Sequence, residues 1–179
     1  YAASLAEFGA PRELPRCRGW ILEREIPGFA DRDAMGCYPL FTCEDWSQLH
    51  CDLDEIGNGL VSLALVTDPF GEYDEAYLRE CFKDVVFPFK DHYIVDLSYP
   101  TNKIVSEHHR YYARRALKHV NLEVCQNPTL LIDEWTDLYA TLIQKHKLAG
   151  IKAFSKRAFA EQLGTPGMIM FRAMAQGAT

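Results

Sequence analysis

The chain lacks any run of about 20 apolar residues, the length a helix needs to cross a bilayer. Its longest strongly apolar run covers residues 60–66, which excludes a bundle of membrane-spanning helices. No basic and then apolar leader opens it. It has no Cys-x-x-Cys pair, so the strongest zinc signature is missing. There is no Gly-x-Ser-x-Gly, which excludes a serine-hydrolase nucleophile elbow. Gly-x-Gly-x-x-Gly, a phosphate-loop lysine and His-Glu-x-x-His are also absent, so dinucleotide, phosphate-loop and zinc-protease fingerprints are excluded. Gly57-Asn58-Gly59 follows a predicted helix and reads as its stop.

What is present fits a mixed α/β globular chain. It has 179 residues, of which 48% are hydrophobic and 25% charged. Six cysteines occur, at positions 17, 37, 43, 51, 81 and 125. In a cytoplasmic, reducing setting they are expected to act as small buried hydrophobes, with no disulfide and no structural metal. The net charge of −6 is unevenly spread. Residues 1–100 carry 8 basic and 19 acidic side chains, whereas residues 101–179 carry 11 basic and 6 acidic ones. An acidic protein is a poor general binder of nucleic acid, but a locally basic face suits an anionic ligand.

Residues 1–19 carry Pro11, Pro15 and Gly19 and read as an irregular lead-in. A strand is expected over residues 20–26, then a loop over residues 27–41. A helix should start near Thr42, run through Trp46, Leu49 and Leu53, and end at Gly57. Residues 60–67, LVSLALVT, predict a central strand that buries Leu63 and Leu65. Asp74 is placed to cap a helix with Leu78, Cys81 and Phe82 inward. Residues 92–97, HYIVDL, residues 121–125, NLEVC, and residues 168–173, MIMFRA, predict further strands. An amphipathic helix should carry Trp135, Leu138, Tyr139, Leu142 and Ile143 on one stripe. Ser155 should cap another, with Phe154 and Phe159 as a hydrophobic staple. Gln176-Gly177 reads as the start of a hairpin turn.

A single helix over residues 101–119 is the most informative segment. Lys103, Glu107, Arg110, Arg114 and Lys118 share one face at helical spacing. Tyr112, Ala116 and Leu117 lie opposite and should be buried. The arginine fork grips carboxylate or phosphate through paired hydrogen bonds, so this face is a candidate anion contact; a solvated surface balancing the acidic first half is the plainer alternative. His92 and His146 lie near predicted element ends and are candidates for proton transfer.

Residues 95–124, VDLSYPTNKIVSEHHRYYARRALKHVNLEV, resemble the FemAB-like branch of the GNAT acyltransferase superfamily. There a strand ending in Asp-Leu-Ser leads into a helix with an Arg-x-x-x-Arg-basic-Ala pattern, matched by Arg110, Arg114, Arg115 and Ala116, and a strand follows. Residues 138–146, LYATLIQKH, match the next helix of that pattern, and residues 168–177 match the strand and Gly turn after it. The resemblance covers residues 60–179 and implies a GNAT-like mixed, mostly antiparallel sheet flanked by helices, with residues 1–59 as a lead-in of one strand and one helix. It implies transfer of an acyl group from acetyl-coenzyme A or another acyl-coenzyme A to an amine of a small molecule or peptide. Fem enzymes proper use aminoacyl-tRNA instead. It implies that Arg110, Arg114 and Arg115 bind substrate. The superfamily's pyrophosphate loop, a [QR]-x-x-G-x-[GA] turn opening a helix, is not in the sequence. The resemblance therefore implies a domain cut before its cofactor-binding loop, and it assigns neither catalytic nor cofactor-binding residues. These 179 residues alone are not expected to bind acetyl-coenzyme A with ordinary enzyme affinity. A non-catalytic binding module of the same fold is the alternative.

Overall fold

The computed structural model describes residues 1–175, apart from the side chain of Asn58. It is a mixed α/β chain whose strand pairs are mostly antiparallel. Two units divide it. One comprises residues 1–90 and 132–162, the other residues 91–131 and 163–179.

The first unit is built on a sheet ordered β1-β2-β3-β4, with β1 (Ala10–Leu14), β2 (Gly19–Glu25), β3 (Arg32–Gly36) and β4 (Ser62–Ala64). β1 and β3 flank β2 antiparallel, and β4 joins β3 parallel. Ile21 and Leu22 point to opposite faces of β2, as neighbours in a strand must, and both are fully buried. The sheet is therefore covered on both sides at its centre. Ile21, Leu14 and Ala34 face a core completed by Cys17, Phe41, Trp46 and Leu49. Gly19 and Gly36 make room for Phe41: a Cβ on either would come within 2.8 or 2.9 Å of that side chain. On the other face the N-terminal turn Ala2–Leu5 lies against β1 and β2 and buries Leu5.

Helix α1 (Leu49–Ile56) follows a short 3₁₀ turn whose cap is Asp45, its carboxylate accepting from Ser47 N at 3.0 Å. The start therefore falls three residues beyond Thr42, because Asp45 itself is the better cap. Gly57 ends α1 at φ 55°, a left-handed conformation that glycine adopts without strain. Asp74 caps α2 (Glu75–Cys81), accepting from Tyr77 N at 2.8 Å. Later in the same unit come α5 (Ile132–His146) and α6 (Lys156–Leu163), whose last residue passes into the second unit. Ser155 caps α6 through Ala158 N at 3.1 Å. An aromatic cluster joins them: Phe159 meets Tyr139, Phe154 and Trp135 at centroid distances of 4.7, 5.6 and 5.8 Å.

The second unit holds α3 (Thr101–Ile104), α4 (Glu107–Ala116) and an antiparallel pair, β5 (Asn121–Cys125) and β6 (Met170–Met174). Glu123 and Arg172 stand opposite each other in that pair and form an ion pair at 2.7 Å.

Several expectations are corrected. The first 59 residues hold three strands, not one. β1 forms despite Pro11 because it is an edge strand, and a proline there breaks no ladder bond on its paired side. β3 has no apolar alternation; it forms because β2 and β4 pair with it from both sides. β4 is a three-residue edge strand, not a central one, and Leu63 and Leu65 are half-buried. Residues 92–97 form no strand and lie exposed. The helix expected over residues 101–119 is two helices. The turn expected at Gln176-Gly177 lies outside the described residues. Among the described residues, no helix is long and apolar enough to cross a membrane.

Candidate functional site

The basic segment is broken at Ser106, whose hydroxyl accepts from His109 N at 3.3 Å and so starts α4 afresh. Arg110 reaches back across the break. Its Nη1 donates to the Asn102 carbonyl at 3.1 Å and also to the Val105 carbonyl. These are acceptors that the end of α3 leaves without helical partners. Arg110 is thus half-buried and holds the corner between the two helices.

Arg114 and Arg115 occupy the last turn of α4 and are exposed. The negative end of the helix dipole favours cations there. Among the described residues no carboxylate pairs with either one. The three arginines expected to bind substrate therefore share a helix, with one tied to backbone and two open to solvent.

The opposite face differs from expectation. Tyr112 and Leu117 are about half exposed, at 52% and 53%, and Ala116 is exposed as well. The stripe has helical spacing, but among the described residues it stays open to water, so spacing alone does not secure its burial. His108, Tyr112 and Tyr111 instead form an exposed row, with centroids 4.7 and 5.5 Å apart. In the same unit the β5–β6 pair exposes Leu122, Val124 and Phe171.

His92 lies exposed in the unpaired stretch, and His146 is exposed at the end of α5. Neither has a structural feature that marks it for proton transfer. Among the described residues, no group of three or more His, Cys, Asp or Glu side chains is placed to hold a metal ion.

The first unit contains two polar arrangements that periodicity does not reveal. Asp52, only 1% exposed, accepts from Cys17 N at 2.7 Å and Arg16 N at 3.1 Å. Beside it, His50 Nε2 lies 3.3 Å from Cys51 Sγ, and Tyr77 Oη donates to the Trp46 carbonyl at 2.5 Å. Burial, helped by a hydrogen bond with Cys81, pushes the Tyr77 hydroxyl up to about 12. The one early sign of these groups is the clustering of His50, Cys51 and Asp52 in sequence. A depression of about 110 Å³ is lined by Ser4, Glu7, Arg157 and Glu161 among others, small beside the roughly 300–1,000 Å³ of ordinary ligand sites.

Comparison of the chain with protein-family models, with curated proteins and with solved structures found no match.

Proposed function

We propose that the chain belongs to an N-acyltransferase of GNAT type that moves an acyl group from acyl-coenzyme A to an amine, and that α4 receives an anionic group of the acceptor. Support comes from one observation: Arg114 and Arg115 stand exposed, with no carboxylate partner among the described residues, on the helix that carries the superfamily-like pattern. In this reading Arg110 positions the corner and the other two make the contact. Each guanidinium offers a planar fork that matches a carboxylate or phosphate. Bond-making would rest on groups not assigned to these residues.

The test is an acetyl-transfer assay on the intact gene product with acetyl-coenzyme A and amino acids or short peptides as acceptors, the acetylated product being read by mass spectrometry. Joint substitution Arg114→Ala and Arg115→Ala should raise KM for an anionic acceptor about tenfold, the effect of losing one charge-assisted hydrogen bond. kcat and the far-ultraviolet spectrum should stay unchanged. Failure to acetylate any amine, or an unaltered KM, rejects the proposal.

A second reading rests on the exposed row of His108, Tyr111 and Tyr112 beside those arginines. Aromatic faces interleaved with cations suit a single-stranded RNA end, as an aminoacyl-tRNA donor of the Fem kind would present. Affinity for tRNA that falls steeply with salt would favour it over coenzyme A.

A further inference from the structure

Cys17 sits in the core between β1 and β2, with no exposed surface. Its carbonyl accepts from Glu44 N at 3.0 Å and from Asp45 N at 3.1 Å. Those two bonds hold the segment that follows Cys43 beside the turn that carries Cys17. Cys43 packs against the core cluster that contains Cys17. Gly19 is held against the same side chain, since a Cβ there would fall 3.0 Å from Cys43 Cβ. Cys43 is half-buried, so a small oxidant has a route to it that Cys17 does not offer. The Asp52 carboxylate accepts from Cys17 N at 2.7 Å and so fixes the backbone of that turn.

We infer that Cys17 and Cys43 are a dithiol that closes to a disulfide under peroxide, tying the β1–β2 turn to the segment before α1. The two steps balance. Peroxide oxidises Cys43 to a sulfenic acid and leaves as water. Cys17 sulfur then attacks Cys43 sulfur, the S–O bond breaks, and hydroxide departs with the proton from Cys17 as a second water. Two thiols lose two electrons and one peroxide gains them. Cys17 has no exposed surface while Cys43 is half-buried, so Cys17 is the resolving sulfur and not the one first oxidised; hydrogen bonding with Cys43 and burial push its thiol up as well, so closure is slow beside that of an exposed thiolate.

The experiment treats the protein with hydrogen peroxide, blocks remaining thiols, and digests it without reduction. A Glu-specific protease releases Cys17 in residues 14–23, and chymotrypsin cutting after Phe41 separates Cys37 from Cys43. The expected result is a peptide linking Cys17 to Cys43 that dithiothreitol dissolves. The melting temperature of the oxidised protein should be several degrees higher and should fall back on reduction. In Cys43→Ser the linked peptide should be absent, while in Cys37→Ser it should persist. Because the mapping is done on the unaltered protein, a poorly folded variant does not decide the matter. A Cys17 thiol that stays free while Cys43 is oxidised, or a bridge from Cys17 to another cysteine, overturns the inference.

Discussion

Glu23 shows how a single side chain can hold three strands. From β2 it accepts from Arg12 of β1 at 2.7 Å and from Arg32 of β3 at 3.3 Å. The hydrogen bond from Arg12, aided by that from Arg32, lowers its carboxyl below the usual glutamate range. A carboxyl with a depressed folded-state pKa adds stability that is complete above its unfolded value. That stability is lost as pH falls from about 4.3 through the folded value. Glu23→Gln should therefore cost about 1 kcal/mol at neutral pH, because both arginines stand open to water although Glu23 itself is only 11% exposed. The cost should be smaller at pH 3, below the unfolded value, where the unfolded chain is already protonated. Urea titrations at the two pH values check it, and an equal loss at both would show that packing, not charge, is at stake. Asp52 is the buried counterpart: it satisfies two backbone donors that would otherwise be stranded in the core. Neither role is readable from the sequence, because each depends on partners 9 to 36 residues away.

The elements repay a comparison of Ile21 and Leu65. Ile21 is fully buried in an inner strand, while Leu65 is half-buried just past the short edge strand β4. Ile21→Ala should cost about 2–5 kcal/mol, and Leu65→Ala about 1–2 kcal/mol because less surface is lost and the site can relax. Chemical denaturation of the two variants tests the ranking, and a larger loss at Leu65 would restore β4 to the centre of the sheet. The sequence pointed the other way, since residues 60–66 are the longest strongly apolar run. Such a run reports a demand for burial and not a place in the strand order, which long-range pairing decides. Local chemistry was more legible. Asp74, Ser155 and Gly57 act where cap and stop residues were expected, and β5 has the expected bounds. β3 was not legible, because Arg32-Asp33-Ala34-Met35-Gly36 earns its strand from neighbours alone. The arginine helix was readable as a basic segment, but the break at Ser106 and the commitment of Arg110 to backbone carbonyls were not.

Across the whole molecule, burial is uneven. The large side chains with least exposure, among them Phe41, Ile21, Leu22 and Leu49, lie in the first unit. In the second unit β5 and β6 pair only with each other among the described residues, and their apolar side chains stay in contact with water. A lone two-stranded sheet is marginal. Amide exchange should therefore protect Ile21 and Leu22 at least about a hundredfold more than Leu122 and Val124, which open by local fluctuation. Equal protection would mean that β5 and β6 unfold only with the core. The four-stranded sheet has a different relation to its surroundings. Pro11 places a residue without an N–H at the second position of its five-residue edge strand, and the ladder to β2 is complete, so the missing donor falls on the outer side. A strand from another molecule that docks there finds a gap in the row of donors it would need. β4 closes the opposite edge with only three residues. The sheet that carries the core is thus a poor template for growth by strand addition, a guard against aggregation built from one imino acid and one short strand.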